Sequence, residues 1–124
     1  MTNPNVQERR RSERKRVIEN MMVFLTIPKL GAGKIYLKDV SAEGLGFFMD
    51  ASAGIRDGHS YEGHFHLNAA VKLPLKFRVV HTEDRTAGCE ITDRSSKAYQ
   101  VYVKFVELLD DLVEFLNGEE PERH

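Results

Sequence analysis

Residues 71–91 read VKLPLKFRVVHTEDRTAGCEI and contain two strand-like runs joined by a charged turn. The stretch from Val71 to Thr82 is a long strand-like run, and Ala87 to Ile91 returns as a short one. Between them, Glu83-Asp84-Arg85 has the polar composition of a hairpin turn. This segment predicts a β-hairpin at the centre of a strand-rich fold.

Four further strand-like segments lie upstream of this hairpin and are separated by turn-forming residues. The first is an apolar run that is closed by Pro28, which is a strand breaker. The second alternates apolar and polar residues, as a half-buried strand does. The four segments are Met21–Ile27, Lys34–Ser41, Leu45–Met49 and Tyr61–Leu67. Six short strands spaced by turns are typical of a sandwich or a small barrel.

The apolar pattern changes after Asp93, where apolar residues recur at steps of three and four. These positions are Ala98, Val101, Tyr102, Phe105, Leu108, Leu109, Leu112, Phe115 and Leu116. They predict an amphipathic helix over residues 95–117, begun by Asp93, Ser95 or Ser96 and ended by Asn117-Gly118. We expect the stripe to cover the open side of the barrel. A homodimer through this helix is the alternative, because the spacing also fits a coiled-coil seam.

The two ends of the chain carry opposite charge, although the formal net charge of all 124 residues is −1. Residues 1–16 contain six basic and two acidic groups, and residues 107–124 contain seven acidic groups and one arginine. We interpret residues 1–16 as a flexible basic arm, 17–94 as the barrel, 95–117 as the helix and 118–124 as an acidic disordered tail.

Composition argues against several other classes of protein. No apolar run approaches the ~20 residues of a membrane span, and the polar, basic N-terminus is unlike a secretory signal peptide. The single cysteine, Cys89, builds neither a disulfide framework nor a multi-thiolate metal site. We therefore expect a cytoplasmic protein.

The residues that usually carry catalysis are sparse. His64 and His66 share one face of a strand but lack further ligands, so we interpret them as half-exposed barrel histidines. Cys89 follows a glycine in an apolar strand and is expected to be a small core residue. The Gly31-Ala32-Gly33-Lys34 stretch lacks the spacing of a phosphate-binding loop. We expect a binding protein rather than an enzyme, with no metal and no cofactor.

Two short motifs carry the functional argument: Arg10-x-x-x-Arg14, and then Asp39-x-Ser41-x-x-Gly44. In this order and on a strand-rich chain, they resemble the PilZ family of bacterial cyclic di-GMP receptors. The Leu45-Gly46-Phe47 continuation and the strand that begins at Gly88 before a C-terminal helix extend the resemblance. It covers about residues 8–117, as one domain.

The resemblance implies a mainly β fold, a six-stranded antiparallel barrel with a C-terminal amphipathic helix. It implies a receptor or adaptor that binds cyclic di-GMP and signals to an effector protein. The implied ligand contacts are Arg10, Arg14, Asp39, Ser41 and Gly44. Arg9 precedes the first motif, a position that in this family tends to accompany an intercalated cyclic di-GMP dimer, and Arg11 is a secondary candidate. Many members also stack an aromatic or arginine side chain from a later strand on guanine, but no residue is assigned here.

The chemistry of these residue types suits such a ligand. An arginine fork pairs with a phosphate or with the O6/N7 edge of guanine, and its plane can lie on a purine. Arg10 and Arg14 share one side of a helix or of an extended chain, where they span ~13 Å at ~3.3 Å per residue. Asp39 accepts from the donor edge of guanine, and Ser41 reaches a phosphate or base. Gly44 lets the backbone turn close to the ligand.

The expected mechanism is ordering of the arm, whose six cations repel one another until the ligand phosphates neutralise them. Fixing each residue costs ~1–2 kcal/mol, which the charge-assisted contacts must exceed. We also expect Arg14→Ala to abolish ligand binding and to leave the melting temperature of the free protein within about a degree of the wild type.

Two other functions remain open at this point. A nonspecific nucleic-acid-binding arm on a small barrel predicts steep salt dependence and no preference for the cyclic dinucleotide. A ligand-independent PilZ-like adaptor predicts protein contacts alone, and the intact motifs argue against it.

Overall fold

The computed structural model describes residues 13–31, 33–49 and 54–116. Residues 13–19 are helical (α1), and a 3-10 turn occupies Pro28–Leu30. The six strands and the second helix are β1 (Phe24–Thr26), β2 (Leu37–Val40), β3 (Gly44–Phe48), β4 (Ser60–His66), β5 (Lys72–Glu83), β6 (Thr86–Ile91) and α2 (Lys97–Leu116). The predicted mainly β fold with a C-terminal helix is confirmed.

The strands form one antiparallel sheet in the order β1-β4-β5-β6-β3-β2. The two ends of this sheet meet. Leu25 of β1 and Ile35, two residues before β2, exchange two backbone hydrogen bonds of 2.8 Å each. The sheet is therefore bent into a nearly closed barrel, whose two outermost edges are joined at this bridge.

The β5–β6 hairpin follows its sequence pattern. Leu73, Leu75, Phe77 and Val79 are buried, and the residues between them are exposed. The predicted turn lies at Asp84, whose φ of 55° is in the left-handed region that Asp tolerates better than most residues. The hairpin thus supplies the longest apolar face of the barrel.

Helix α2 covers one side of the barrel core, as predicted. Ser96 begins it, because its hydroxyl oxygen accepts a 3.0 Å hydrogen bond from the Tyr99 amide. Its buried side chains are Tyr102, Phe105, Val106, Leu109 and Val113. Leu108 and Phe115 were predicted on the same stripe but are 48% and 66% exposed. The buried face follows the helical period of 3.6 from Tyr102 and leaves these two side chains outside it.

The N-terminal boundary differs from the prediction. Residues 13–16 were assigned to a flexible arm, but they belong to α1, which Ile18 and Val17 pack against the core. Apolar side chains at the end of the basic run therefore fold it onto the barrel. Residues 1–12 and 117–124 lie outside the described part of the chain, so the remaining arm, the acidic tail and the Asn117-Gly118 stop stay predictions.

A glycine substitution tests the packing of β3 on β6. A Cβ at Gly44 would overlap the backbone carbonyl oxygen of Cys89, whereas a Cβ at Gly46 would make an ordinary contact 3.5 Å from the Ala87 carbonyl oxygen. We expect Gly44→Ala to lower the free energy of unfolding by about 1–3 kcal/mol, and Gly46→Ala to change it far less. Urea unfolding of both variants checks this, and equal losses would contradict it.

Candidate ligand-binding site

The turn between β2 and β3 is built by two residues of the second motif. The Ser41 amide donates to the Gly44 carbonyl oxygen at 2.9 Å, and the Gly44 amide donates to the Ser41 hydroxyl oxygen at 3.2 Å. Serine thus closes the turn with its side chain, and glycine lets β3 lie close to β6 at the Cys89 carbonyl. The spacing of this motif therefore has a structural cause in addition to its expected role in binding.

Three side chains from α2 and the loop before it hold the carbonyl groups of this turn. The hydroxyl of Tyr99 donates to the Ala42 carbonyl oxygen at 2.7 Å, and the hydroxyl of Tyr102 donates to that of Gly44 at 2.8 Å. The Glu43 carbonyl oxygen accepts from Arg94 Nη2 at 3.2 Å. Desolvation by burial raises the pKa of the Tyr102 hydroxyl far above its ordinary value, so it remains a donor. The position of the turn is thereby fixed relative to α2.

Arg14 of α1 joins β2 to α2. Its Nη1 donates to the Val40 carbonyl oxygen at 2.8 Å and lies 3.6 Å from Asp39 Oδ1. Its Nη2 donates to Asp110 Oδ1 at 3.0 Å. The buried Nε has no hydrogen-bond partner within the described chain. Because guanidinium has five N–H groups, Arg14 retains donors for an additional acceptor.

A pocket of about 420 Å³ lies on the outer face of the neighbouring strands β2, β3, β6 and β5. Asp39, Ser41 and Gly44 line one side of it. Its floor includes Gly46 of β3 and Gly88 of β6, which are paired across the strands and have no side chains. A flat floor of this kind admits a planar ring, and the volume is within the range of small-molecule sites.

His81 lines the pocket because β5 is irregular. The register between β5 and β6 shifts between Val79 and His81, and this bulge pairs His81 with Gly88. The imidazole Nδ1 is 3.6 Å from where a Cβ of Gly88 would be, and the side chain is 61% exposed. An exposed aromatic ring thus borders the glycine floor.

The structure brings together four of the predicted site residues. Asp39, Ser41 and Gly44 line the pocket, and Arg14 contacts the same wall through Asp39 and Val40. The other three predicted residues, Arg9, Arg10 and Arg11, lie outside the described residues.

The contacts of Arg14 correct one expectation. We predicted that Arg14→Ala would hardly change the melting temperature of the free protein, but the Arg14 side chain is only 19% exposed and binds both Val40 and Asp110. Removing it leaves the Val40 carbonyl oxygen and the Asp110 carboxylate without this donor, so we now expect the variant to lose stability as well.

Five residues of the site were missed by sequence reasoning: Arg94, Tyr99, Tyr102 and Asp110 around the turn, and His81 at the pocket. Tyr102 was taken only as part of the apolar stripe, although a buried tyrosine hydroxyl needs a partner and so signals a polar contact. The opposite charges of residues 1–16 and 107–124 are the only sequence signal for the contact between Arg14 and Asp110, 96 positions apart, and they do not select these two residues.

The two barrel histidines and the cysteine have the environments that were predicted. His64 and His66 are half-buried, and His66 stacks on Phe24 with ring centroids 4.4 Å apart. Desolvation, followed by the nearby His64, Lys72 and Lys34, lowers the pKa of His66. Burial raises the pKa of the Cys89 thiol to about 12.

The described residues contain neither a candidate metal site nor a helix that could span a membrane. Among residues 13–31, 33–49 and 54–116, no group of three His, Cys, Asp or Glu side chains could hold a metal ion. In the same ranges, neither helix has the length and apolar composition needed to cross a membrane.

The contact between Tyr102 and the turn is testable. We expect Tyr102→Phe to lower the free energy of unfolding by about 1 kcal/mol, because it removes one donor from a buried carbonyl that keeps its bond from Ser41. The control is Tyr36→Phe at a 62% exposed position, where we expect a change within about 0.5 kcal/mol. Chemical denaturation measures both, and an unchanged Tyr102→Phe variant would contradict the role assigned to this hydroxyl.

Two solved structures with TM-scores above 0.5 share the fold of this chain. An uncharacterized Legionella protein, Lpg0364, is similar with a TM-score of 0.51 and 13% identity, over 73% of this chain and 87% of that one. The Bacillus subtilis inhibitor of motility (MotI/DgrA) is similar with a TM-score of 0.55 and 13% identity, over 69% of this chain but only 44% of its own. The PilZ domain of CeSA from a cellulose-synthesizing bacterium gives a TM-score of 0.42 and 15% identity, over 77% of this chain and 90% of that domain.

A search of curated proteins found no match. The profile of the PilZ domain family, however, matches residues 8–111. The matched range includes both motifs, all six strands and most of α2. The chain therefore belongs to the PilZ domain family.

Proposed function

We propose that this PilZ domain binds cyclic di-GMP at the pocket beside the Ser41–Gly44 turn and signals to an effector protein. One observation carries the proposal. Arg14 of α1 is distant in sequence from the Asp39–Gly44 motif, yet it contacts Asp39 and Val40 at one side of a pocket whose floor lacks side chains.

The ligand chemistry matches the parts of this pocket. Cyclic di-GMP presents two phosphates, and the remaining N–H groups of Arg14 can donate to one of them while its bonds to β2 persist. The Asp39 carboxylate suits the donor edge of guanine. The Gly46–Gly88 floor gives a planar base close access to the strands, because no Cβ intervenes.

His81 is the side chain that we propose stacks on a guanine. It is the aromatic residue on the pocket wall opposite the motif, and it comes from a later strand. Base–aromatic stacking contributes about 1–3 kcal/mol per base.

In this proposal, Arg9 and Arg10 bind the outer phosphates and favour two intercalated ligand molecules, with Arg11 as a further contact. We propose that ligand binding orders only the part of the basic arm before residue 13, because residues 13–19 are already helical without ligand.

A route from the ligand to a partner protein follows from the contacts of Arg14. A phosphate on Arg14 competes with Asp110 for the same guanidinium, and the turn is bonded to Tyr99 and Tyr102. Ligand binding would therefore alter contacts of α2, whose outer surface is available to an effector.

Calorimetric titration with cyclic di-GMP tests the proposal. We expect saturable binding of two ligand molecules per chain, at least about tenfold weaker in Arg10→Ala because a charge-assisted contact is lost. Arg16→Ala, an exposed position on α1, is the matched control and should bind like the wild type. Ligand should also reduce trypsin cleavage after Arg9–Arg11.

Two results would contradict this account. One is the absence of any binding heat at saturating ligand. The other is that short DNA binds as tightly as cyclic di-GMP and with steep salt dependence, as a nonspecific basic arm would.

The stacking role of His81 makes a separate prediction. We expect His81→Ala to weaken cyclic di-GMP binding by about 1 kcal/mol or more, and His81→Phe to retain it, because the ring face is what contacts the base. His59→Ala removes an exposed histidine that does not line the pocket and serves as the control. Wild-type affinity in His81→Ala would exclude stacking by this residue.

A further inference from the structure

A second concave surface of about 530 Å³ lies between α1, β1 and β2, and none of its lining residues lines the ligand pocket. We call it the aromatic groove. It is lined by Ile18, Glu19, Asn20, Met21, Met22, Val23, Phe24, Lys34, Tyr36, Leu37 and Phe48. Nothing in the proposed binding of cyclic di-GMP uses this surface.

The aromatic groove exposes large apolar side chains beside positive charge. Met22, Tyr36 and Phe48 are 77%, 62% and 38% exposed. The Lys15 ammonium lies 5.5 Å from the centroid of the Phe48 ring, and that of Lys34 lies 4.9 Å from the Phe24 ring. Within the described chain neither lysine forms an ion pair. Glu19 also lines the groove, but the two lysines give its border positive charge. A protein surface that binds the groove should therefore be apolar and bordered by acidic groups.

The same chain carries a surface of that kind on α2. Leu108, Leu112 and Phe115 are spaced by four and three residues, so they share one side of the helix, and two of them are conspicuously exposed. An acidic row runs beside them at the same spacing, formed by Glu107, Asp111 and Glu114. We call these six residues the acidic face of α2.

We propose that the aromatic groove of one copy binds the acidic face of α2 of a second copy. The argument is complementarity. One surface has exposed apolar groups and lysines that form no ion pair with the described residues, and the other has exposed apolar groups and a row of carboxylates. Both surfaces belong to one chain, so two copies can form the contact twice in a symmetric pair. The inference is independent of the ligand.

Analytical ultracentrifugation over a broad range of protein concentrations tests this contact. We expect a concentration-dependent dimer in the wild type. The groove variant Lys15→Glu/Lys34→Glu and the helix variant Glu107→Lys/Asp111→Lys should each raise the dissociation constant about tenfold or more, since like charges then face each other. The control, Arg56→Glu/Lys97→Glu, changes net charge as the groove variant does but at exposed residues outside both surfaces.

An equimolar mixture of the groove and helix variants supplies the decisive result. In that mixture each reversed surface meets an oppositely charged one, so the mixed pair should associate more tightly than either variant associates with itself. Thermal melting of each variant verifies folding. A wild-type monomer at every concentration, unchanged association of both variants, or failure of the mixture to associate would each overturn the proposal.

Discussion

The hydrogen bonds from α2 and its preceding loop to the turn at residues 41–44 are the constraint on which the site depends. Tyr99, Arg94 and Tyr102 each donate to a different carbonyl oxygen of this turn. Because those carbonyl groups are held by the helix, the turn has one position relative to the barrel. The ligand pocket begins at this turn, so the helix shapes it without lining it.

Arg14 connects helix α1 to the same part of the fold. It ties α1 to β2 and to Asp110 of α2 while leaving N–H groups unused. Because Arg14 makes these structural contacts as well as the binding contact that we propose, its substitution is a poor test of binding alone. Arg9 and Arg10, which we propose as ligand contacts, are better positions at which to test binding.

The sequence predicted the strands and the grouping of the motif residues better than the contacts around them. Alternation and turn residues located all six strands, because burial on one face imposes a period of two. The spacing of Asp39, Ser41 and Gly44 predicted a shared site, since a tight turn keeps them together. Periodicity could not show that a bulge places His81 on the glycine floor, or that Asp110 pairs with Arg14, because both depend on strand register and helix packing. The helix at the end of the basic run was not predicted. The run was interpreted from its charge alone, and the apolar residues Val17 and Ile18 that follow it were not considered.

The central claim is that cyclic di-GMP binds at the turn and on the glycine floor. The most direct measurement is an NMR titration that follows the backbone amides of Gly44, Gly46 and Gly88 as cyclic di-GMP is added. The account predicts that these three amides and those near His81 shift together and saturate together. Saturating ligand that leaves them unmoved, or that shifts only residues of the aromatic groove, would contradict it.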